Sequence, residues 1–96
     1  MSANDLIRNT LEFLRTRKRA YQLCFGSPAG NAVLNDLAKF CRATQSCYMD
    51  DPRAHAVLEG RREVFLRIAQ HMHLTTEQCF ALYNGRNILM EQSEDG

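Results

Sequence analysis

The sequence predicts an all-α protein, a compact bundle of four helices followed by a loose C-terminal tail. Apolar residues recur at spacings of three and four over most of the 96 residues, which is the period of an α-helix. Capping residues at Ser27, Asp51 and Thr75 mark three helix starts. Hydrophobic residues make up 45% of the chain and charged residues 24%, so the composition is that of a folded domain.

The first helix is predicted from about Asn4 to Cys24. One stripe of this segment is apolar and has the width of a helix face that packs on a core. The stripe contains Leu6, Ile7, Leu11, Phe13, Leu14 and Tyr21. Gly26 is expected to end the helix in a left-handed conformation.

A second helix is predicted from Pro28 to about Ala43, with Ser27 as its N-cap. Residues at spacings of three and four give it a core-facing side, and polar residues occupy the other side. The core side is predicted to hold Val33, Leu34, Leu37, Phe40 and Cys41, and the solvent side Asn35, Lys39 and Arg42.

A third helix is predicted to begin at Asp51 and Pro52 and to end near His71 or Met72. Its apolar stripe is predicted at Val57, Leu58, Phe65, Ile68 and Met72. Gly60 lies near the middle of this helix, where glycine costs about 1 kcal/mol relative to alanine. We therefore expect a close approach of the first or second helix, or of a second subunit, at this glycine.

The fourth helix is predicted to begin with a capping box formed by Thr75 and Gln78. Its apolar face starts at Phe80, Leu82 and Tyr83, and Asn84 with Gly85 is expected to end or bend it. Residues 1–91 are thus predicted to form a single helical domain, and residues 92–96 a flexible tail.

Charge is unevenly distributed along a chain whose net charge is only +1. Residues 1–48 contain seven basic and three acidic residues, whereas residues 49–96 contain five basic and eight acidic ones. Two halves of opposite charge favour contact between copies, or a basic side that faces nucleic acid. An ordinary solvated surface explains the same charge distribution as well. The basic cluster Arg15, Arg17, Lys18 and Arg19 is the candidate for phosphate contact.

No catalytic site and no cofactor are predicted. Glu59 and Glu63 are four residues apart on one helix with Arg62 and Arg67 nearby, a pattern typical of an exposed charge network. His71, His73 and Cys79 have zinc-binding donors, but residues two apart point to different sides of a helix. We therefore predict no metal site, and reduced, mostly buried thiols at Cys24, Cys41, Cys47 and Cys79.

No membrane partner is expected. No apolar run approaches the roughly 20 residues that a membrane helix needs. The N-terminal residues contain an early acidic residue, Asp5, and lack an apolar signal core, so synthesis in the cytosol is predicted.

One region resembles a known family. The segment AYQLCFGSPAGNAVLNDLAKFCRA, followed by DDPRAHAVLEGRREVFLRI, is similar over roughly residues 20–70 to a family of small helical proteins. These proteins are encoded among the virion-structural genes of short-tailed bacteriophages. The string EGRRE at residues 59–63 is the most distinctive part. Phe65 stands where the family usually has tryptophan, and Met49 with Asp50 stands where it has a His-Pro pair.

The resemblance implies a non-enzymatic virion structural or assembly component, associated with the head, the portal vertex or genome delivery. Its expected partners are copies of itself, portal or tail components, and packaged DNA, and its expected location is the host cytoplasm and then the virion. A small phage regulator or inhibitor that binds a host protein or DNA is the alternative.

Such a role requires contact surfaces instead of catalytic groups, although a solvated face is an equal explanation of the charged positions. The predicted contact residues are Arg15, Arg17, Lys18 and Arg19 on one side, and Glu59, Arg62, Glu63 and Arg67 on the other.

Overall fold

The computed structural model describes residues 2–89, and this part of the chain contains four helices and no strand. Helix α1 spans Ala3–Phe25, α2 spans Pro28–Phe40, α3 spans Pro52–Met72 and α4 spans Thr76–Tyr83. The all-α prediction is confirmed. Within residues 2–89 no helix combines the length and the apolar character that crossing a bilayer requires. The predicted tail at 92–96 lies outside the described residues.

Side chains cap the helices at the three positions predicted from the sequence. The Ser27 hydroxyl accepts a hydrogen bond from the Gly30 amide at 3.0 Å, and the Asp51 carboxylate accepts one from the Arg53 amide at 3.1 Å. Thr75 and Gln78 bond each other's amides reciprocally, at 3.1 and 2.9 Å. These bonds satisfy amides that the first turn of a helix leaves without partners, so they fix where α2, α3 and α4 begin.

The core lies between α2, α3 and the end of α4. Its largest fully buried side chains are Leu34, Phe65, Leu82 and Cys47. Helix α1 contributes no buried residue and packs on this core only through Tyr21 and Phe25 near its end, both half-buried. The fold is therefore a core formed by α2, α3 and α4, with the long helix α1 packed against it.

The first half of α1 lies outside the core. Its five large apolar side chains are between 41% and 63% exposed, so the prediction that this part of the stripe packs on a core is wrong. Helix α1 runs antiparallel to α3, because Tyr21 stacks on His71 while Phe25 lies beside Val64 and Ile68. The end of α3 lies opposite Leu14 and Arg17, and the residues before Leu14 extend past it.

This overhang gives the molecule an extended outline. Its dimensions are 52 × 41 × 20 Å and its radius of gyration is 16.4 Å. A compact domain of about 100 residues has a radius of gyration of about 13 Å. The excess indicates that much of the surface of α1 has no neighbour in the monomer.

Several local predictions were wrong. Gly26 has φ −86°, so it is not left-handed, and α2 ends at Phe40 instead of Ala43, with Arg42 at φ 50°. Four residues predicted to face the core are at least half exposed: Val33, Phe40, Val57 and Phe80. The guanidinium of Arg61 lies 4.4 Å from the centre of the Phe40 ring, which gives this exposed aromatic a favourable contact.

Gly60 is also placed differently from the prediction. A Cβ built at this position would meet no heavy atom within 4 Å, because the residue lies on the exposed side of α3. The expected contact with α1 or α2 is therefore wrong, and the alternative of a second subunit stays a prediction.

Candidate interaction surfaces

An exposed apolar surface lies on the first half of α1. We call it the α1 stripe, and it consists of Leu6, Ile7, Leu11, Phe13 and Leu14. Ile7, Leu11 and Leu14 continue the line along which Tyr21 and Phe25 pack on the core, since all are separated by three, four or seven residues. A contiguous exposed patch of this kind marks an interaction site on a soluble protein.

A second apolar surface lies on α3. We call it the α3 face, and it consists of Val57, Gly60 and Val64, which are exposed and follow one another at helical spacing. Beside the α3 face is an open apolar cleft of about 380 Å³, between the last turns of α1 and the middle of α3. It is lined by Ala20, Tyr21, Cys24, Phe25, Val64, Arg67 and Ile68. The α3 face and this cleft together form an apolar surface that has no bulky side chain at its centre.

The predicted acidic and basic contacts on α3 divide between its exposed and inner sides. Glu59, Glu63 and Arg67 are exposed on one side of the helix. Arg62 is half-buried, and its Nη1 donates to the carbonyl oxygen of Gln45 at 3.2 Å. Arg62 therefore holds the connection between α2 and α3 in place, and its role as a partner contact stays a prediction.

The basic cluster on α1 is divided in a similar way. Arg15 and Arg19 are exposed and, four residues apart, share one side of α1. Arg17 and Lys18 instead line a groove that also contains Leu14, Gln70, His71 and His73. We call this the α1–α3 groove. The four basic residues thus do not form one patch.

The two histidines near the end of α3 have different local roles. The Nδ1–H of His71 donates to the Arg67 carbonyl oxygen at 2.7 Å, since a carbonyl oxygen only accepts. The His71 ring stacks on Tyr21 with 4.3 Å between ring centres. His73 follows the helix in a left-handed conformation at φ 53°. In residues 2–89, no group of three or more His, Cys, Asp or Glu side chains is placed to hold a metal.

The cysteines are free thiols in different environments. Burial raises the pKa of Cys41, an effect opposed by Arg61 and by a backbone hydrogen bond from Phe65, and burial also raises the pKa of Cys79. A raised pKa keeps a thiol protonated at neutral pH and makes it a poor nucleophile. Cys24 is exposed, which differs from the prediction of mostly buried cysteines, whereas Cys41 and Cys47 are buried.

Comparison with protein families gives a match over most of the chain. The family described as Bbp19-like phage protein matches residues 21–91, about three quarters of the chain. The chain belongs to the Bbp19-like phage proteins. The prediction that the chain resembles a family of phage proteins is therefore confirmed. The comparison with curated proteins found no match, and the comparison with solved structures found none.

In this Bbp19-like protein the matched residues begin at Tyr21 and contain α2, α3 and α4. The α1 stripe lies before the match, as do Arg17 and Lys18 of the α1–α3 groove. The family match therefore covers the buried core but does not reach the α1 stripe.

Two asparagines in this Bbp19-like protein were missed as structural residues. Asn31 is 3% exposed; its Oδ1 accepts from the Ile88 amide at 3.0 Å and its Nδ2 donates to the Arg86 carbonyl at 3.1 Å. Asn35 was predicted to face solvent, but it is half-buried and donates to the Leu82 carbonyl at 2.9 Å. The available signal was their spacing from Leu34 and Ala38, which places both amides on the core side of α2.

Proposed function

We propose that this Bbp19-like protein is a virion structural or assembly component, associated with the head, the portal vertex or genome delivery. It acts without catalysis, through protein–protein contacts in an oligomer. The observation that carries the proposal is the α1 stripe, whose five large apolar side chains are all at least 41% exposed. Burial of apolar surface is the main driving force of association, and these side chains are only partly buried in the monomer.

The partner of the α1 stripe in this proposal is the α3 face of a second copy. The α3 face offers Val57 and Val64 on either side of Gly60, so a helix can approach its backbone closely. Charge supports the same pairing. Exposed Arg8 and Arg15 flank the α1 stripe, while exposed Glu59 and Glu63 lie beside the α3 face. Opposite charges at the rim of an apolar contact favour the correct partner and orientation.

Contact between two different surfaces of identical chains has a geometric consequence. Each copy presents the α1 stripe to one neighbour and the α3 face to another, which is a head-to-tail arrangement. Such contacts generate a ring if the rotation closes and an open helical array if it does not. Repeated positions of this kind are what a virion or assembly component occupies.

The oligomer is tested by placing charge on the α1 stripe. The variant Ile7→Asp/Leu11→Asp is expected to be monomeric under conditions where the unchanged protein assembles, because burying a carboxylate in an apolar contact is strongly unfavourable. Light scattering coupled to size exclusion measures the mass. Both side chains are exposed in the monomer, so its melting temperature should change little.

The matched control is Thr16→Asp/Leu23→Asp, which adds the same charge to exposed residues on the opposite side of α1. This control should assemble normally. A monomeric unchanged protein over a wide concentration range, or equal loss of assembly in both variants, would contradict the proposed contact.

The place of the protein in the virion is tested by mass spectrometry of purified phage particles. The proposal predicts peptides of this protein at an abundance comparable with other minor virion proteins. A regulator or inhibitor of a host protein would instead be absent from particles and present in infected-cell lysate in a stable complex. Absence from particles that contain every other structural protein would refute a virion role.

A further inference from the structure

We propose that the α1–α3 groove binds a phosphodiester group of a nucleic-acid backbone. The groove shares Leu14 with the α1 stripe, but its polar lining uses none of the residues of the proposed contact between copies, so the two proposals can be tested separately. Its polar lining consists of Arg17 and Lys18 from α1 and of Gln70, His71 and His73 from α3. Each ionisable group in that lining is basic or becomes cationic on protonation, and no carboxylate is among them.

Arg17 provides a donor that has no acceptor within the described part of the chain. Its Nε is shielded from solvent and makes no hydrogen bond there. The guanidinium lies 5.7 Å from the centre of the Phe13 ring, which favours a position over the ring face. An unpaired donor shielded from solvent is unfavourable, so a shift of the Arg17 side chain that lets a phosphate oxygen in the groove accept from it would be favourable. Arginine suits phosphate because its planar fork donates two parallel hydrogen bonds.

His71 is fixed in a position that suits the same ligand. Its Nδ1–H is used by the Arg67 carbonyl and its ring is held against Tyr21, so Nε2 is the ring nitrogen left for another partner. In neutral His71 this Nε2 is an acceptor and repels a phosphate oxygen; in the protonated ring it becomes a donor. The groups around it are Arg17, Lys18 and Tyr21 from α1, and Arg67 and His73 from α3. A phosphate oxygen therefore suits the protonated form of the ring and not the neutral form.

Two of the carbonyl groups at the end of α3 are bonded within the chain. The Leu74 amide donates to the Ala69 carbonyl at 3.0 Å, and the His73 amide donates to the Gln70 carbonyl at 3.3 Å. These bonds are those of a helix end closed by a left-handed residue, His73. The groove accordingly presents side-chain donors to a ligand, while the Ala69 and Gln70 carbonyl oxygens are occupied.

The test is a titration of the full chain with fluorescent duplex DNA at about 50 mM and about 200 mM salt. The unchanged protein should bind, and its affinity should fall with salt, because phosphate contacts release counterions. Arg17→Gln/Lys18→Gln should weaken binding by about tenfold at the lower salt concentration and reduce the logarithmic salt slope by about 1–2. Lys18→Gln alone, at an exposed position, should show part of this loss without any effect on folding.

The charge-matched control is Lys39→Gln/Arg53→Gln, which removes two exposed cations from α2 and α3 outside the groove. It should keep nearly the full affinity and slope. Equal losses in the control and in Arg17→Gln/Lys18→Gln would overturn the proposal, because binding would then depend on overall charge alone. So would a lack of DNA binding together with a rise in melting temperature in inorganic phosphate, which would assign the groove to free phosphate.

A pH series tests the role of His71 separately. Histidine changes charge between about pH 5 and 8, so DNA affinity should rise as pH falls through this range. His71→Gln should remove most of the rise. His55→Gln should keep it, since His55 makes a similar bond to the Cys47 carbonyl, at 3.0 Å, and does not line the groove. An unchanged rise in His71→Gln would show that this ring does not contact phosphate.

Discussion

Replacing Gly30 with alanine is expected to lower the free energy of unfolding by about 3 kcal/mol, because the added methyl group has no space. A Cβ at this position would overlap the carbonyl oxygen of Cys24 and lie 2.7 Å from the carbonyl carbon of Phe25. These are backbone atoms at the end of α1, so no side chain can rotate away. Only a shift of α1 relative to α2 would relieve the overlap, and urea denaturation would record its cost.

Gly60→Ala is the matched control and should have the opposite sign. Position 60 is helical, and a Cβ built there is free of contacts within 4 Å. Alanine should therefore stabilise the monomer by about 1 kcal/mol, the difference in helix propensity. A destabilised Gly60→Ala monomer, or a Gly30→Ala protein of unchanged stability, would mean that the helix contacts differ from those described.

Asn31→Leu is expected to destabilise the protein by about 3 kcal/mol, although leucine has a similar size and a greater preference for burial. The substitution removes the acceptor of the Ile88 amide and one donor to the Arg86 carbonyl. The Ile88 amide is then left buried without a partner, which costs more than the hydrogen bond itself contributes. Thermal unfolding would measure the loss, and hydrogen exchange should show faster opening at Ile88.

Asn35→Ala provides the comparison. Asn35 is half-buried, and the Arg86 carbonyl would still accept a hydrogen bond from Asn31. The expected loss is about 1 kcal/mol, because the side chain is half-buried and both carbonyl oxygens to which it donates keep another donor. If the two variants were equally destabilised, the buried amide of Ile88 would not be the source of the effect.

The helix starts were predictable because they depend on neighbouring residues alone. Ser27, Asp51 and Thr75 each bond an amide no more than three residues away, so the sequence contains the whole interaction. The end of α4 followed from local sequence in the same way. The helix stops at Tyr83, and Gly85 then takes φ +80°.

The wrong predictions concern which face of a helix packs against another part of the protein. Ile7 has the same spacing pattern as Tyr21, but Ile7 lies past the end of α3 whereas Tyr21 packs against this helix. Periodicity states that a face is apolar and does not state what covers it. The α1–α3 groove could not be predicted from the sequence for a related reason. Arg17 and His71 are far apart in sequence and meet only through the antiparallel packing of two helices.

The overhang of α1 separates two properties that most small domains must satisfy with the same residues. Substitutions before Leu14 change exposed side chains that the proposed oligomer would bury, while the hydrophobic interior, built from α2, α3 and α4, keeps its packing. In the proposed oligomer, the affinity of the first half of α1 for the neighbouring copy can therefore change in small steps, at little risk to folding. A protein arranged in this way can be fitted to a new assembly partner without redesign of its scaffold.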